Sequence, residues 1–299
     1  MLLQDARISQ IIFLSLFLFL GLSTRDWTLR PDLMLVAIAS CLLTQWLLSC
    51  FVPFVKSKIR SYQIPKLGAK EVKSRVQLFE LTCLRSAAIT GLGLCLLLRC
   101  NDYTTMAIAG SLAIASKFLF RHKNKHFFNP ANFGIIAALI LTQDAWVSPG
   151  QWGTDWWYLL LFFCTGGTIL KQVGRWDTSI AFLVAYTILE GLRNYWLGWS
   201  WDVLQHELMS GSLLLFAFFM LTDPRSIPNA TISRIIWAVA IAFLTFILRN
   251  QFYLSTAIFW ALFFLSPLTI WLDTMWSAPK FEWLKTINKH LPNQSFTTS

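Results

Sequence analysis

Long apolar runs alternate with short polar connections along nearly the whole chain. Stretches that approach a membrane span, roughly 17–25 residues, fall at about 8–23, 33–55, 77–98, 103–120, 131–147, 156–172, 178–198, 208–222, 231–249 and 254–273. The pattern predicts an all-α, polytopic membrane protein of about ten transmembrane helices. It forms one transmembrane domain over 1–275, with a basic cytoplasmic loop at 56–76 and an interfacial tail at 276–299. Two polar, proline-containing breaks interrupt the apolar sequence, His126-Phe127-Phe128-Asn129-Pro130-Ala131-Asn132-Phe133-Gly134 and Phe219-Met220-Leu221-Thr222-Asp223-Pro224. In a bilayer a broken backbone leaves N–H and C=O groups unpaired, so it is tolerated only against protein or a water-filled cavity. A new apolar helix follows each break, and its N-terminal end would point donors inward, an arrangement suited to an anionic or strongly polar ligand.

Composition agrees with lipid as the solvent. At 56% hydrophobic and 13% charged residues, with mean hydropathy +0.54, 299 residues carry too little charge to cover a soluble globule. The lipid bilayer is the expected partner. Trp27, Trp146, Trp152, Trp156, Trp157, Trp196, Trp199, Trp201 and Trp276 fall at predicted helix ends, where amphipathic rings sit at headgroup level. The loop 56–76 holds Lys56, Lys58, Arg60, Lys66, Lys70, Lys73 and Arg75 against Glu71. Alternate loops carry Arg121, Lys123 and Lys125, then Lys171 and Arg175, then Arg225. The positive-inside rule puts these loops and both termini in the cytoplasm, in a bacterial-type plasma membrane. The same rule accounts for the net charge of +10 and excludes nucleic acid as its explanation. The first apolar stretch lacks a small-x-small cleavage site and reads as a retained helix.

Soluble-enzyme motifs are absent: there is no phosphate-cradling glycine loop, no nucleophile elbow and no metal-ligand spacing. His122 and His126 flank lysines in a basic loop, and no metal site is expected there. The six cysteines form no pair motif and read as small apolar residues. Ionisable residues inside apolar stretches must face the bundle or snorkel to its ends. Lys117 and Lys171, near cytoplasmic ends, read as snorkelling. Glu80 and Arg85 read as an ion pair or a pathway element, and Glu190 either pairs with Arg193 three residues on or serves function. Ala107, Ser111 and Ala115, and separately Gly166-Gly167, mark faces where backbones approach closely.

At its two breaks the chain resembles a known family. Phe128-Asn129-Pro130-Ala131 with Gly134, then Gly211 followed by Phe218-Phe219-Met220-Leu221-Thr222-Asp223-Pro224, are similar to paired signatures of two related membrane subunits. These are the NqrB subunit of sodium-pumping NADH:quinone reductase and the RnfD subunit of the Rnf electron-transport complex. The resemblance spans about 110–273, and Asp177-Thr178 of Gly174-Arg175-Trp176-Asp177-Thr178-Ser179 stands where that family has an acidic turn opening a helix. It implies broken helices in two inverted halves and a subunit of a cation-coupled electron-transport complex, with other membrane subunits as partners. It also implies a flavin, FMN or riboflavin, and candidate ligand-binding residues Asn129, Pro130, Gly134, Asp177, Thr178, Gly211, Thr222, Asp223 and Pro224. In the family FMN is attached through phosphate to a threonine in a Ser-Gly-Ala-Thr motif. Here Val147-Ser148-Pro149-Gly150-Gln151-Trp152 has no such threonine, so the expected flavin is non-covalent. The alternative on the same scaffold is a transporter or channel for a small polar solute, without cofactor.

Overall fold

A computed structural model describes residues 5–25, 28, 30–51, 69–123, 125–149 and 156–281; for 24, 25, 50, 51 and 69–82 it describes the backbone alone. Helix α1 (Ala6–Leu20) is capped by Asp5, whose carboxylate accepts from Arg7 N, and runs into a π-helical turn, Gly21–Arg25. It is followed by α2 (Pro31–Phe51), α3 (Ala69–Leu97), α4 (Tyr103–Leu119) and α5 (Pro130–Leu141). The second half comprises α6 (Trp156–Val173), α7 (Trp176–Trp196), α8 (Trp201–Leu208), α9 (Gly211–Leu215), α10 (Thr231–Asn250), α11 (Ala257–Leu265) and α12 (Leu268–Met275). A second π-helical turn, Phe216–Met220, continues α9. Two short antiparallel ladders close the loops: β1 (Leu98–Arg99) pairs with β4 (Trp146–Val147), and β2 (Arg121–His122) with β3 (Lys125–His126).

Each of the ten apolar stretches contains helix, but the helices differ from full spans in instructive ways. Ala6–Ser23, Pro31–Ser49 and Thr231–Asn250 are long and apolar enough to cross a membrane, and the count among described residues reaches five if each bent pair is one span. The pairs α8 with Gly211–Met220 and α11 with α12 bend by 48° and 49°. Pro267 explains the second bend, because a proline inside a helix removes one ladder bond and crowds the preceding turn. The stretch 131–147 is helical only to Leu141, where Thr142 Oγ1 donates to Ala138 O before the chain turns into β4. Twelve residues give about 18 Å of helix, short of a hydrocarbon core of about 30 Å. In the opposite sense, α3 begins at Ala69, inside the basic segment read as loop.

The bundle repeats one neighbour scheme. In the first half α2 packs on α3 and α4, α4 on α5, and α1 on α3; in the second, α7 packs on α10, α10 on α11, and α6 on the Phe216–Met220 turn. Side chains turned inward include Phe17, Phe162, Phe182, Phe216, Trp237 and Phe259, whereas Leu35, Leu160, Leu192 and Phe243 lie exposed on the outer faces. An apolar exterior over an apolar interior is the arrangement lipid requires. The basic loops 121–125, 171–175 and 225–234 meet at one end of the bundle, through bonds from Lys125 and Arg175 to residue Asn229. The exposed rings of Trp146, Trp156, Trp157, Trp196, Trp199 and Trp201 surround the other end.

Candidate functional site

The two proline-containing breaks meet by direct contact at the basic end. Their meeting point is the Phe216–Met220 turn, where the widened helix leaves carbonyls available to lateral partners. Leu221 N closes the π-type bond to Phe216 O at 2.8 Å. The next four carbonyls all accept from side chains: Ala217 O from Ser179 Oγ (2.6 Å), Phe218 O from Thr222 Oγ1 (2.7 Å), Phe219 O from Gln10 Nε2 (3.4 Å) and Met220 O from Asn129 Nδ2 (3.0 Å). Helices α7 and α1 and the Asn129 loop thus converge on one broken helix end. Asn129 serves twice, since its Oδ1 also accepts from Asn132 N and caps α5, with Pro130 at the first helical position. Gly134 lets α5 close on α4: a Cβ there would stand 2.6 Å from Ala109 O and 2.8 Å from Ala113 Cβ. Gly166 does the same for α6, whose Cβ position lies 2.6 Å from Phe218 Cγ.

The β2–β3 hairpin turns through Lys123, in the left-handed region at φ 47°, and delivers His126 to Asp223 with Nε2 and Oδ2 3.4 Å apart. Asp223 Oδ1 accepts from Arg225 N at 3.2 Å. Burial raises the Asp223 pKa, but the His126 hydrogen bond and the Arg225 N–H outweigh it and hold the carboxyl below its usual value. Burial also dominates at His126 and lowers its pKa despite the carboxylate. Both shifts coexist if neutral His126 donates its Nε2–H, so the contact is a hydrogen bond rather than a full ion pair near pH 7. The rings of Phe120, Phe127, Phe128, Phe133 and Phe263 pack around the loop and shield it.

Beside this junction, the inner ends of α7 and α10 form a second polar cluster. Asp177 Oδ2 takes Arg234 Nε at 2.7 Å, and Arg234 also donates to Asn229 O and Thr231 Oγ1. Lys125 Nζ bonds Asp273 Oδ2 (2.7 Å) and Ile227 O, and Asn229 N reaches Asp273 Oδ1 at 2.7 Å. Burial and the neighbouring Arg234 lower Arg175 to about 10, and burial lowers Lys125 against the pull of Asp273. Among the described residues, four buried polar atoms in this region lack a hydrogen-bond partner: Gln172 Oε1, Arg175 Nε, Thr178 Oγ1 and Ser233 Oγ. Unsatisfied buried groups are uncommon enough to mark a place where a ligand could bind.

Among the residues singled out from sequence, Asn129, Pro130, Thr222, Asp223 and Pro224 come together, Gly134 lies a turn further along α5 against α4, and Asp177 and Thr178 stand next to the junction through the Asn229–Lys125 links. Gly211 does not, because it opens α9 at the far end, where Ser210 Oγ and Ser212 N donate to Pro149 O. Lys117 does not snorkel: it is 6% exposed, and Nζ donates to Ser86 O, Ser86 Oγ and Thr90 Oγ1 between α3 and α4. Lys171 is exposed as expected. Arg85 pairs with Asp5 at 3.1 Å, while the Glu80 side chain lies outside the described residues. Gln10, Ser179, His126, Lys125 and Asp273 were not read as site residues. The five described cysteines are free, and no metal-holding group of His, Cys, Asp and Glu occurs among the described residues.

Broken helices packed end to side inside an apolar-coated bundle define an integral membrane protein of the helical class. Residues 143–282 match the NQR2, RnfD, RnfE family. Over 120 residues the chain is 32% identical to the D subunit of the ion-translocating oxidoreductase complex of Vibrio vulnificus, covering 39% of this chain and 33% of that protein. Over 124 residues it is 30% identical to the same-named subunit of Cellvibrio japonicus, covering 40% and 35%. The chain is thus similar to the NQR2, RnfD, RnfE family over just under half of its length, and it spans about a third of the length of these curated relatives. The Asp223-Pro224 break lies inside the matched segment and the Asn129-Pro130 break before it.

Proposed function

We propose that this chain is a membrane subunit of a cation-coupled electron-transport complex in a bacterial plasma membrane, working beside other membrane subunits. The observation that carries the reading is the family match over 143–282, which includes the Phe216–Met220 turn and its Asp223-Pro224 break. Its relatives are named as subunits of an ion-translocating oxidoreductase complex. The recurrent neighbour scheme of the two halves supports an inverted repeat, and the clustered basic loops support a cytoplasmic basic end.

In this reading a flavin binds without a covalent bond at the basic end. Asn129, Thr222 and Asp223 hydrogen-bond within the protein and build the junction. The orphaned atoms of Gln172, Arg175, Thr178 and Ser233 offer the donors and acceptors that a flavin ring or its phosphate requires. Bound there, the flavin supplies one- and two-electron chemistry, while Arg175 and Lys125 set a positive field and the aromatic loop excludes water. Ser148 and Thr154 are the hydroxyls that could substitute for the family's threonine; Ser148 is buried, with its N–H bonded to Leu97 O. Thr154 lies outside the described residues. The test is the visible spectrum of the purified protein before and after dithionite. Bands in the flavin region that bleach on reduction support the reading, and a fully folded but colourless protein supports the cofactor-free transporter instead.

A further inference from the structure

At the basic end, every carboxylate among the described residues is already engaged. Asp5 holds Arg7 and Arg85, Asp177 holds Arg234, and Asp273 holds Lys125. Asp223 gives Oδ2 to His126 and Oδ1 to the backbone N–H of Arg225. Arg121 and Arg225 are left, both partly buried and neither paired with a carboxylate. Among the described residues no acceptor takes Arg121 Nη1 or Nη2, or any side-chain nitrogen of Arg225; only Arg121 Nε is committed, to Lys117 O.

The fold brings these two cations to one place. In the β2–β3 ladder Arg121 is the cross-strand partner of His126, so both side chains leave the same face of the hairpin. From that face His126 reaches Asp223, which in turn fixes the backbone of Arg225. Burial and the like charge of Arg225 lower the pKa of Arg121. The Arg121 guanidinium lies over the Phe118 ring, 4.9 Å from its centroid, and its two Nη groups remain as a fork for an oxygen from outside. Two like charges kept together in a partly dry setting are unfavourable unless an anion joins them. Just before Arg121, Leu119 and Phe120 expose apolar side chains, so the guanidinium stands where a lipid-facing surface gives way to the basic loops. We propose that Arg121 and Arg225 bind the phosphate of one anionic phospholipid, with an acyl chain lying along Leu119 and Phe120. Paired guanidiniums match phosphate oxygens in geometry and charge. A zwitterionic lipid would bring its own ammonium to two cations already unbalanced, and a free phosphate would leave the apolar strip unused.

None of the unpartnered atoms assigned to the flavin takes part, so the lipid site stands or falls separately from the redox reading. The test uses the full chain in phosphatidylcholine nanodiscs with increasing fractions of phosphatidylglycerol, read by thermal stability and by the lipid that native mass spectrometry finds retained on the protein. Wild-type protein should retain one phosphatidylglycerol and gain stability saturably. Arg121→Gln and Arg225→Gln should each weaken retention about fivefold, whereas Lys171→Gln, which removes an exposed cation at the same end, should change it less than about twofold. Equal losses in all three variants would overturn the proposal, because diffuse surface charge would then explain the attraction. In phosphatidylcholine alone Arg225→Gln should be at least as stable as wild type, since it relieves repulsion; a less stable variant would show that the guanidinium has a partner within the protein and would also overturn it. Inorganic phosphate added to phosphatidylcholine discs should give no saturable gain. A gain equal to that from phosphatidylglycerol would identify the occupant as a free anion and refute the lipid.

Discussion

Asn129→Ala tests the junction at its most connected residue. The substitution removes the α5 cap, worth about 1 kcal/mol, and the 3.0 Å bond to Met220 O. Hydrogen bonds between helices in membrane bundles average about 0.6 and reach about 1.7 kcal/mol. Met220 is 5% exposed, so the orphaned carbonyl has little access to water and the loss belongs at the upper part of that range. The two terms together come to about 2–3 kcal/mol. Asn129→Ser separates them, because a serine hydroxyl still caps α5 but is too short to reach Met220, so it should lose about half as much. Equilibrium unfolding in mixed micelles, followed by tryptophan emission, measures both. An alanine variant with the wild-type midpoint would refute the reasoning, and a serine variant as damaged as the alanine one would refute the division into cap and bridge.

The remaining predictions concern packing and pH. Gly166→Ala should cost about 1–3 kcal/mol by pressing on Phe218, whereas Gly167→Ala, with nothing within 4 Å of its Cβ position, should be neutral or stabilising by up to about 1 kcal/mol; thermal scans of the two proteins check the contrast. His126 has a lowered pKa in the fold, so the unfolded chain binds its proton first, and stability should decline as pH falls below about 6.5. Asp223, also lowered, adds its own loss only below about pH 4, as the carboxylate protonates. In unfolding midpoints measured from pH 7.5 to 4.5, His126→Gln should flatten the first decline; an unchanged slope would show that another group controls it.

Much of the helical layout was legible because apolar runs of span length leave few alternatives, and the breaks were visible because proline beside Asn or Asp cannot sit unpaired in lipid. Their direct contact was consistent with broken helices converging on one site. The π-turn was not legible: Phe216–Met220 is an ordinary apolar run, and its distinguishing partners, Gln10 and Ser179, lie 209 and 38 residues away from the carbonyls they reach. Spacing left two readings open at Glu190; in the bundle Arg193 stacks on Trp199, whose aromatic face at the helix end competes for the guanidinium, and Glu190 accepts from Asn250. Lys117 looked like a snorkelling residue from its position near a helix end, yet hydroxyls on α3 hold it inside. Such choices depend on which neighbouring helix presents a polar atom, and that is a property of the assembled bundle. The termination of α5 at Leu141 was passed over, since Ala145, Trp146 and Val147 carry the apolar run past Thr142-Gln143-Asp144, the polar step where the helix ends and Asp144 accepts from the Asn101 and Asp102 N–H groups.

The most direct test of the central claim is acid precipitation of the purified protein, with fluorescence read in both the supernatant and the denatured polypeptide after electrophoresis. The account predicts flavin in the supernatant, near one equivalent per chain, and a dark polypeptide band. A fluorescent band would contradict the non-covalent site, and the absence of flavin from both fractions would contradict the electron-transport role itself.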